Sequence, residues 1–284
     1  MGFHMQNTIP RHHIPEAAAP RRLRWQFDSR DLQKWVRRLS WLVTLVLVIG
    51  AWQIVTQLEL VDRFLLPAPT AVAEEFYAAL IDGTLWKHTS VTLQEVVFGL
   101  MIGVSVGTTL GYAIAKSPLL GDMLAPIIVT FQSTPIVAYA PLLVIWFDTG
   151  MESKIVTCAL VVFFPMLMNT VVGIRNVPDG LRDVMRVSQA TPLQIFTKLE
   201  LPAAMPVLMT GLKTSATLAV IGAVVGEFIV ANAGLGFWIN SARQQYNTEL
   251  VFVAMIAMAI MAGTLYFAVS MLERRLLAWQ RRSN

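Results

Sequence analysis

Three groups of polar side chains interrupt long apolar stretches of this sequence, and these residues could do chemistry there. Glu227 is the only acid within a predicted membrane span, and an intramembrane acid faces protein or water because its charge is costly in lipid. Glu227 therefore lines a path or gate, or it accepts hydrogen bonds from backbone near Asn232 and Gly234. The run Gln132-Ser133-Thr134 either contacts a solute or belongs to a structural kink. Asn169 is either a path residue or a packing residue between helices.

The composition excludes several function classes. Hydrophobic residues make up 55% of the 284 residues and charged residues 14%, with a mean hydropathy of +0.58. A disordered chain, a secreted disulfide scaffold and a cytosolic enzyme are excluded, because each needs more charge or more cysteine. The sole cysteine, Cys158, predicts an inert packing residue, and no metal site is predicted. The four histidines lie outside the predicted spans, which argues against a membrane-embedded enzyme.

Six apolar stretches are long enough to predict transmembrane helices, since about 20 residues cross the hydrocarbon core. Five of them lack Asp, Glu, Lys and Arg entirely, and the sixth contains only Lys213 and Glu227. The expected fold is therefore an all-α integral membrane protein with six spans. The predicted spans are Trp41–Leu58, Val96–Ala115, Met123–Phe147, Ile155–Ile174, Ala203–Val230 and Leu250–Leu272.

The distribution of basic residues orients these spans. With both termini cytoplasmic, all but four of the 22 Lys and Arg residues lie on the inner side, as the positive-inside rule requires. The outer four are Arg63, Lys87, Lys154 and Arg243. We expect a basic cytoplasmic tail over residues 1–38 and a transmembrane domain over 39–280, with its core at 90–275.

Two of the spans contain marked local patterns. The second carries four glycines at a spacing of four, which predicts close packing against another helix. The third contains Pro126 and Pro135, which predict a break in the helix beside the polar run at 132–134. The four glycines are Gly99, Gly103, Gly107 and Gly111.

The connection 175–202 is too long for a hairpin and too apolar for a linker. Its periodicity predicts two short amphipathic helices, the second over Leu193–Leu199 with Thr191 as its N-cap and Pro192 in its first turn. Such helices on the cytoplasmic face are typical of an element that docks into a partner's groove. The candidate docking residues are Asp183, Val184, Met185, Gln189, Pro192, Leu193, Phe196, Leu201 and Pro202.

This connection resembles the EAA loop of binding-protein-dependent ABC importer permeases. Asp183-Val184-Met185 stands in place of Glu-Ala-Ala, and Leu199-Glu200-Leu201-Pro202 matches the hydrophobic-x-Leu-Pro ending. The stretches 64–70, 140–147, 169–176 and 225–236 resemble more specifically the nitrate/sulfonate/taurine type. The resemblance covers residues 60–275.

The resemblance implies a type I importer permease fold and a set of partners. Two ATPase subunits would bind the cytoplasmic loops and hold the ATP and Mg²⁺, so this chain itself needs no cofactor. A second permease subunit, either another copy of this chain or a different one, would complete the pathway in the bacterial inner membrane. A periplasmic or lipid-anchored binding protein would deliver the solute, and no nucleic acid is involved.

The sequence departs from the family pattern at two turns. Gln189 stands where the loop has glycine, and Asp148 replaces a second common glycine. Because glycine permits a positive φ, we expect the turn at Gln189 to be altered or shifted toward Thr191-Pro192.

The sequence indicates the energy source and the solute less strongly than it indicates the fold. No Gly-x-x-x-x-Gly-Lys-Ser/Thr loop occurs, so the chain does not hydrolyse ATP by that route. The alternative is a secondary transporter driven by an ion gradient, but the spans show no inverted repeat and few charges. The resemblance implies a small anion or organic acid such as nitrate, a sulfonate or taurine.

Overall fold

A computed structural model describes residues 29–278, with the backbone alone at residues 29–39 and 41. Residues 1–28 of the predicted basic tail and residues 279–284 lie outside the described part. The described residues form eleven α-helices and one π-helical turn at 196–200, joined by short connections. The α-helices are α1 Ser29–Gln57, α2 Pro69–Ile81, α3 Thr84–Lys116, α4 Pro118–Ser133, α5 Ile136–Phe147, α6 Met151–Arg175, α7 Asp179–Val187, α8 Pro192–Ile195, α9 Leu201–Ile229, α10 Leu235–Gln244 and α11 Thr248–Leu276.

The described chain contains four helices that are long and apolar enough to cross a membrane. These are α3, α6, α11 and the continuous helix over Pro192–Ile229, which correspond to four of the predicted spans. The pair α4 and α5 gives a fifth if the two count as one broken span. The apolar part of α1, Leu42–Gln57, is shorter. The structure thus shows an all-helical membrane protein with four or five candidate spans, and the count of six stays a prediction.

Helices α3 and α6 lie against each other almost without intervening side chains. The four glycines of α3 are all buried and face α6. A Cβ at Gly103 would lie 2.5 Å from the carbonyl oxygen of Ala159, and one at Gly111 would lie 2.7 Å from that of Leu167. Small residues are required here because the backbones are in contact, as is common in membrane helix pairs.

Helix α9 packs on another face of α6. A Cβ at Gly222 would lie 2.8 Å from Cys158 Cα, and one at Gly211 would lie 2.7 Å from Asn169 Cβ. The Cys158 thiol is buried and donates to the Ala219 carbonyl oxygen at 3.3 Å. Helix α6 is therefore the central element of a three-helix layer, and Cys158 lies within its packing.

The predicted break in the third span is a sharp elbow. Helices α4 and α5 meet at 96° across Thr134 and Pro135. Thr134 has an extended backbone with ψ 126°, the conformation that a following proline favours. Pro135 has no N–H and cannot continue the hydrogen bonds of α4, so the helix restarts in a new direction.

We expect Gly103→Val to lower the stability of the protein by about 1–3 kcal/mol, because its side chain would meet the Ala159 carbonyl. Thermal unfolding of the purified protein in detergent checks this. The only cysteine is buried in the same packing, so its labelling by a thiol-specific dye reports when the helices separate. Gly263→Val on α11 is the control, because a Cβ there meets nothing within 4 Å. Equal unfolding midpoints for the two variants would contradict the close contact of α3 and α6.

Candidate functional site

The segment 175–202 keeps its tight turn at Gln189, although sequence reasoning expected that turn to be altered or to shift. Gln189 has a φ of +57°, in the left-handed region. Its N–H donates to the Arg186 carbonyl oxygen at 2.9 Å, and the Ala190 N–H donates to that of Met185 at 3.0 Å. These two bonds form a Schellman motif that ends α7. The motif supplies enough hydrogen bonding to hold a non-glycine residue in this conformation.

The second helix of the segment was predicted to be a separate element, but it is continuous with the membrane-spanning helix that follows. Thr191 caps α8 in a capping box with Gln194, which confirms the predicted cap, and Pro192 lies in its first turn. The helix then passes through the π-helical turn into α9, where the Leu201 N–H donates to the Phe196 carbonyl oxygen. Pro202 follows directly after Leu201. Because proline has no N–H, one helical hydrogen bond is missing here, and the wider π-helical turn lies at this point in the helix.

Glu200 ends the π-helical turn and is the centre of a polar cluster. The side chain is fully buried. Its Oε1 accepts hydrogen bonds from Lys116 Nζ at 2.8 Å and from Arg182 Nε at 3.1 Å, and its Oε2 accepts one from the Tyr112 hydroxyl at 3.0 Å. One carboxylate thus joins α3, α7 and the start of α9. We call these four residues the Glu200 cluster.

Arg182 extends the Glu200 cluster to the end of α6. Its guanidinium donates to the carbonyl oxygens of Ile174 and Val177 at 2.6 and 3.0 Å, and to Asp179 at 2.8 Å. Burial lowers the pKa of Arg182, but the hydrogen bonds to Asp179 and Glu200 outweigh it and leave the pKa above its usual value. The residue therefore stays charged and holds α7 against the membrane-spanning helices.

Opposite this anchored side, the segment exposes apolar side chains. Val187 is 85% exposed and Leu193 is 70% exposed. The other exposed apolar residues of the segment are Leu181 and Val184. We call these four residues the apolar face. Exposed apolar side chains gathered on one short segment in a polar surrounding are typical of a protein interface.

The remaining predicted docking residues divide between the two sides. Phe196 packs edge-on against the Tyr112 ring, with 5.1 Å between centroids, so it belongs to the anchored side. Asp183 pairs with Arg186 at 3.2 Å on the exposed surface. The half-buried residues are Met185, Leu201 and Pro202.

The polar run at 132–134 lies at the elbow and borders a cavity of about 840 Å³. The Ser133 and Thr134 hydroxyls donate to carbonyl oxygens of their own helix, Val129 at 2.8 Å and Thr130 at 3.0 Å. Asn169 and Glu227 are not among the described residues that line this cavity. The structure therefore does not bring all the predicted path residues together. Asn169 bonds within α6, through its amide to the Pro165 carbonyl oxygen at 2.8 Å.

Glu227 is buried at the end of α9, where it holds the connection to α10. Its Oε1 accepts a hydrogen bond from the Thr92 hydroxyl at 2.6 Å, and its Oε2 accepts one from the Gly236 N–H. A Cβ at Gly234 or Gly236 would overlap the carboxylate, so glycine is required at both positions. This geometry matches the second of the two roles predicted for Glu227, a carboxylate bonded to nearby backbone.

Sequence reasoning missed two buried polar residues near the start of α3, outside the predicted second span. Helix α3 begins at Thr84, not Val96, and includes Glu95 and His88, both buried. His88 Nδ1 accepts a hydrogen bond from the Gly234 N–H at 3.1 Å, and Thr92, one turn further along α3, donates to Glu227. The sequence did contain a signal for the burial of these residues. Residues 88, 92, 95 and 99 are three or four positions apart, so they continue the glycine stripe along one face of the helix.

The sequence is similar to those of known transport proteins. Residues 99–282 match the family model described as "Binding-protein-dependent transport system inner membrane component". The riboflavin transport system permease protein RibX of Chloroflexus aurantiacus is 38% identical, covering 97% of this chain and 99% of that protein. The taurine transport system permease protein TauC of Escherichia coli is 32% identical, covering 94% and 97%.

The fold also resembles a solved membrane transporter. A chain of the inward-facing MetNI methionine ABC transporter superposes with a TM-score of 0.57 and 23% identity. The match covers 69% of this chain and 96% of that one. At this identity the likeness shows the fold alone.

We expect Gln189→Gly to stabilise the end of α7 by up to about 1 kcal/mol, because glycine adopts a positive φ without steric cost. Gln189→Val should destabilise it, because a β-branched residue is strained at this φ. Hydrogen–deuterium exchange of residues 179–190 in the full-length protein measures both effects. Ser188→Gly is the control, because Ser188 has a φ of −76° and gains nothing from glycine. Equal protection in the Gly and Val variants at 189 would refute the Schellman geometry.

We expect Glu200→Gln to loosen α7 by about 1–3 kcal/mol, because Lys116 and Arg182 lose the charge that binds them. Faster exchange of the α7 amides, with the membrane-spanning helices still protected, is the expected observation. Asp183→Asn is the matched control on α7, since its ion pair is exposed and should contribute under about 1 kcal/mol. If the two variants exchange alike, Glu200 is not the anchor.

Proposed function

Because the chain belongs to the family of binding-protein-dependent transport system inner membrane components, we propose that segment 175–202 docks the ATPase that drives it. The chain is the permease component of a bacterial ABC importer, a multi-pass protein of the inner membrane, and is not itself the ATPase. The observation that carries the docking proposal is the apolar face, which is exposed on an element anchored by the buried Glu200 cluster.

The two sides of the segment serve different parts of this function. An exposed apolar face on short helices fits a groove on a partner, with Leu193 as an anchor in the partner surface. The ATPase pair would hold ATP and Mg²⁺ and change the distance between the two docked segments. The Glu200 cluster would then transmit that displacement directly to α3 and α9, because both helices are bonded to the same carboxylate.

The proposed topology and the other proposed partners rest on the sequence. We propose six spans with both termini cytoplasmic, supported by the inner location of 18 of the 22 Lys and Arg residues in that arrangement. A second permease subunit, either a copy of this chain or a different one, completes the pathway. A periplasmic or lipid-anchored binding protein delivers the solute. Membership of the family favours this ATP-driven mechanism over the ion-gradient alternative.

Two classes of solute are candidates. The sequence resemblance favours a small anion or organic acid, and the taurine, sulfonate and nitrate permeases among the relatives agree with it. A planar heteroaromatic solute is favoured by the riboflavin permease, the relative at 38% identity. Within this chain, the path candidates Gln132, Ser133 and Thr134 lie at the elbow cavity, where the chemistry of the wall discriminates between the two classes.

We expect Leu193→Asp to abolish binding of the ATPase while leaving the permease folded in the membrane. A charge at the centre of an apolar contact would be buried without a partner. The chain is co-expressed with the ATPase and binding-protein genes adjacent to its own, purified by a tag in mild detergent and analysed by intact mass. The wild type should carry its ATPase stoichiometrically, and the variant should carry under about a tenth as much.

Leu119→Asp is the matched control, because Leu119 is also 70% exposed but begins α4, outside the segment. It should retain the ATPase. A wild-type chain that never binds an ATPase under these conditions would refute the docking proposal. Equal loss in both variants would show that a general change in surface charge, and not the apolar face, is responsible.

A further inference from the structure

The elbow of α4 and α5 borders an open cavity of about 840 Å³ against α6. We propose that this cavity binds a planar, uncharged heteroaromatic solute against its aromatic side chains, with one polar edge of the solute held at the helix break. The proposal rests on the permease function above and specifies the class of solute. The volume is within the range of 300–1,000 Å³ that is usual for small-molecule sites.

The walls of the cavity are aromatic on three elements. Phe131 at the end of α4 and Tyr139 on α5 face each other with ring centroids 5.8 Å apart and planes 23° apart. Phe164 contributes from α6, and Trp146 and Phe147 close the far end of α5. Stacking on such rings contributes about 1–3 kcal/mol per planar base in other binding sites. An aliphatic sulfonate or nitrate has no ring with which to use these surfaces.

The break in the helix places hydrogen-bonding groups along one edge of the cavity. The Gln132 side chain lines it and makes no hydrogen bond to another described residue, so its amide offers both donors and an acceptor. The Ser133 and Thr134 hydroxyls lie beside it in the lining, although each already donates to a carbonyl oxygen of its own helix. A heterocycle edge with adjacent donors and acceptors would satisfy the Gln132 amide.

The chemistry of the cavity wall disfavours two other occupants, an anion and a lipid chain. Among the described residues that line it, none is charged. An anion would therefore lose its hydration without gaining a cationic partner. A lipid chain would leave the Gln132 amide facing hydrocarbon, which is costly in a membrane. A neutral ring system with a polar edge meets both constraints.

Binding of lumichrome, a neutral tricyclic heteroaromatic, tests the proposal. The full-length chain in lipid nanodiscs is titrated with lumichrome, and its fluorescence is compared with that in empty nanodiscs. We expect saturable binding that weakens roughly tenfold in Tyr139→Leu, which removes a ring but keeps the bulk. Gln132→Leu should weaken it to a similar degree, because the amide is lost. Trp86→Leu is the control, since Trp86 is 73% exposed on α3 and outside the cavity.

The outcomes separate the solute class from the permease function. Absence of saturable binding, equal binding by all variants, or displacement of lumichrome by nitrate or taurine would each overturn the proposal. A Tyr139→Leu variant that changes the number of chains per nanodisc would identify a second copy as the occupant and also overturn it. None of these results alters the binding of the ATPase to segment 175–202. Loss of ATPase binding with lumichrome binding intact would instead refute the docking proposal alone.

Discussion

The direct contact of the α3 and α6 backbones is the constraint on which the rest of the structure depends. At four buried glycines α3 places no side chain of its own against α6, so it can neither rotate nor slide without a clash. This fixed register sets the positions of the polar residues at both ends of α3. Thr92 meets Glu227 near the end of α9, His88 meets Gly234 in the connection that follows, and Tyr112 and Lys116 meet Glu200 just before α9 begins. A shift of one residue in α3 would separate both sets from their partners.

Helices α3 and α9 are consequently joined at two points about 40 Å apart, since Glu200 and Glu227 are separated by 27 residues of helix. Both points use a buried carboxylate, and both carboxylates are satisfied by hydrogen bonds from another element. Removing one partner of such a group leaves a costly buried charge, so each joint holds the helices in a single arrangement. A displacement applied near Glu200 therefore moves the α3–α9 frame as a unit, whereas the elbow of α4 and α5 lies outside these joints.

Two turns show how this frame tolerates residues that the family pattern does not favour. Gln189 adopts a positive φ within a complete Schellman motif, and Asp148 has φ 65° and ψ 180°, a conformation that is otherwise almost confined to glycine. Such a conformation costs about 1–3 kcal/mol and persists where surrounding contacts impose it. After Asp148, the buried Lys154 donates to the carbonyl oxygens of Thr149 and Gly150 and fixes the start of α6. Local sequence preference is overridden at both turns by the packing of the helices they connect.

Hydropathy, proline and capping residues act locally, and they were enough to predict the membrane class, four of the spans, the break at Pro135 and the capped segment 175–202. They do not predict which polar residues meet. The predicted second span begins at Val96, after the charged Glu95, and so leaves out His88 and Glu95 of α3, because hydropathy does not distinguish a residue facing lipid from one buried against protein. The bonds from Glu200 to Tyr112 and Lys116 span 88 and 84 residues, and no local periodicity encodes them. The inward side of Phe196 likewise depends on its contact with Tyr112, which forms only when the segment packs against α3.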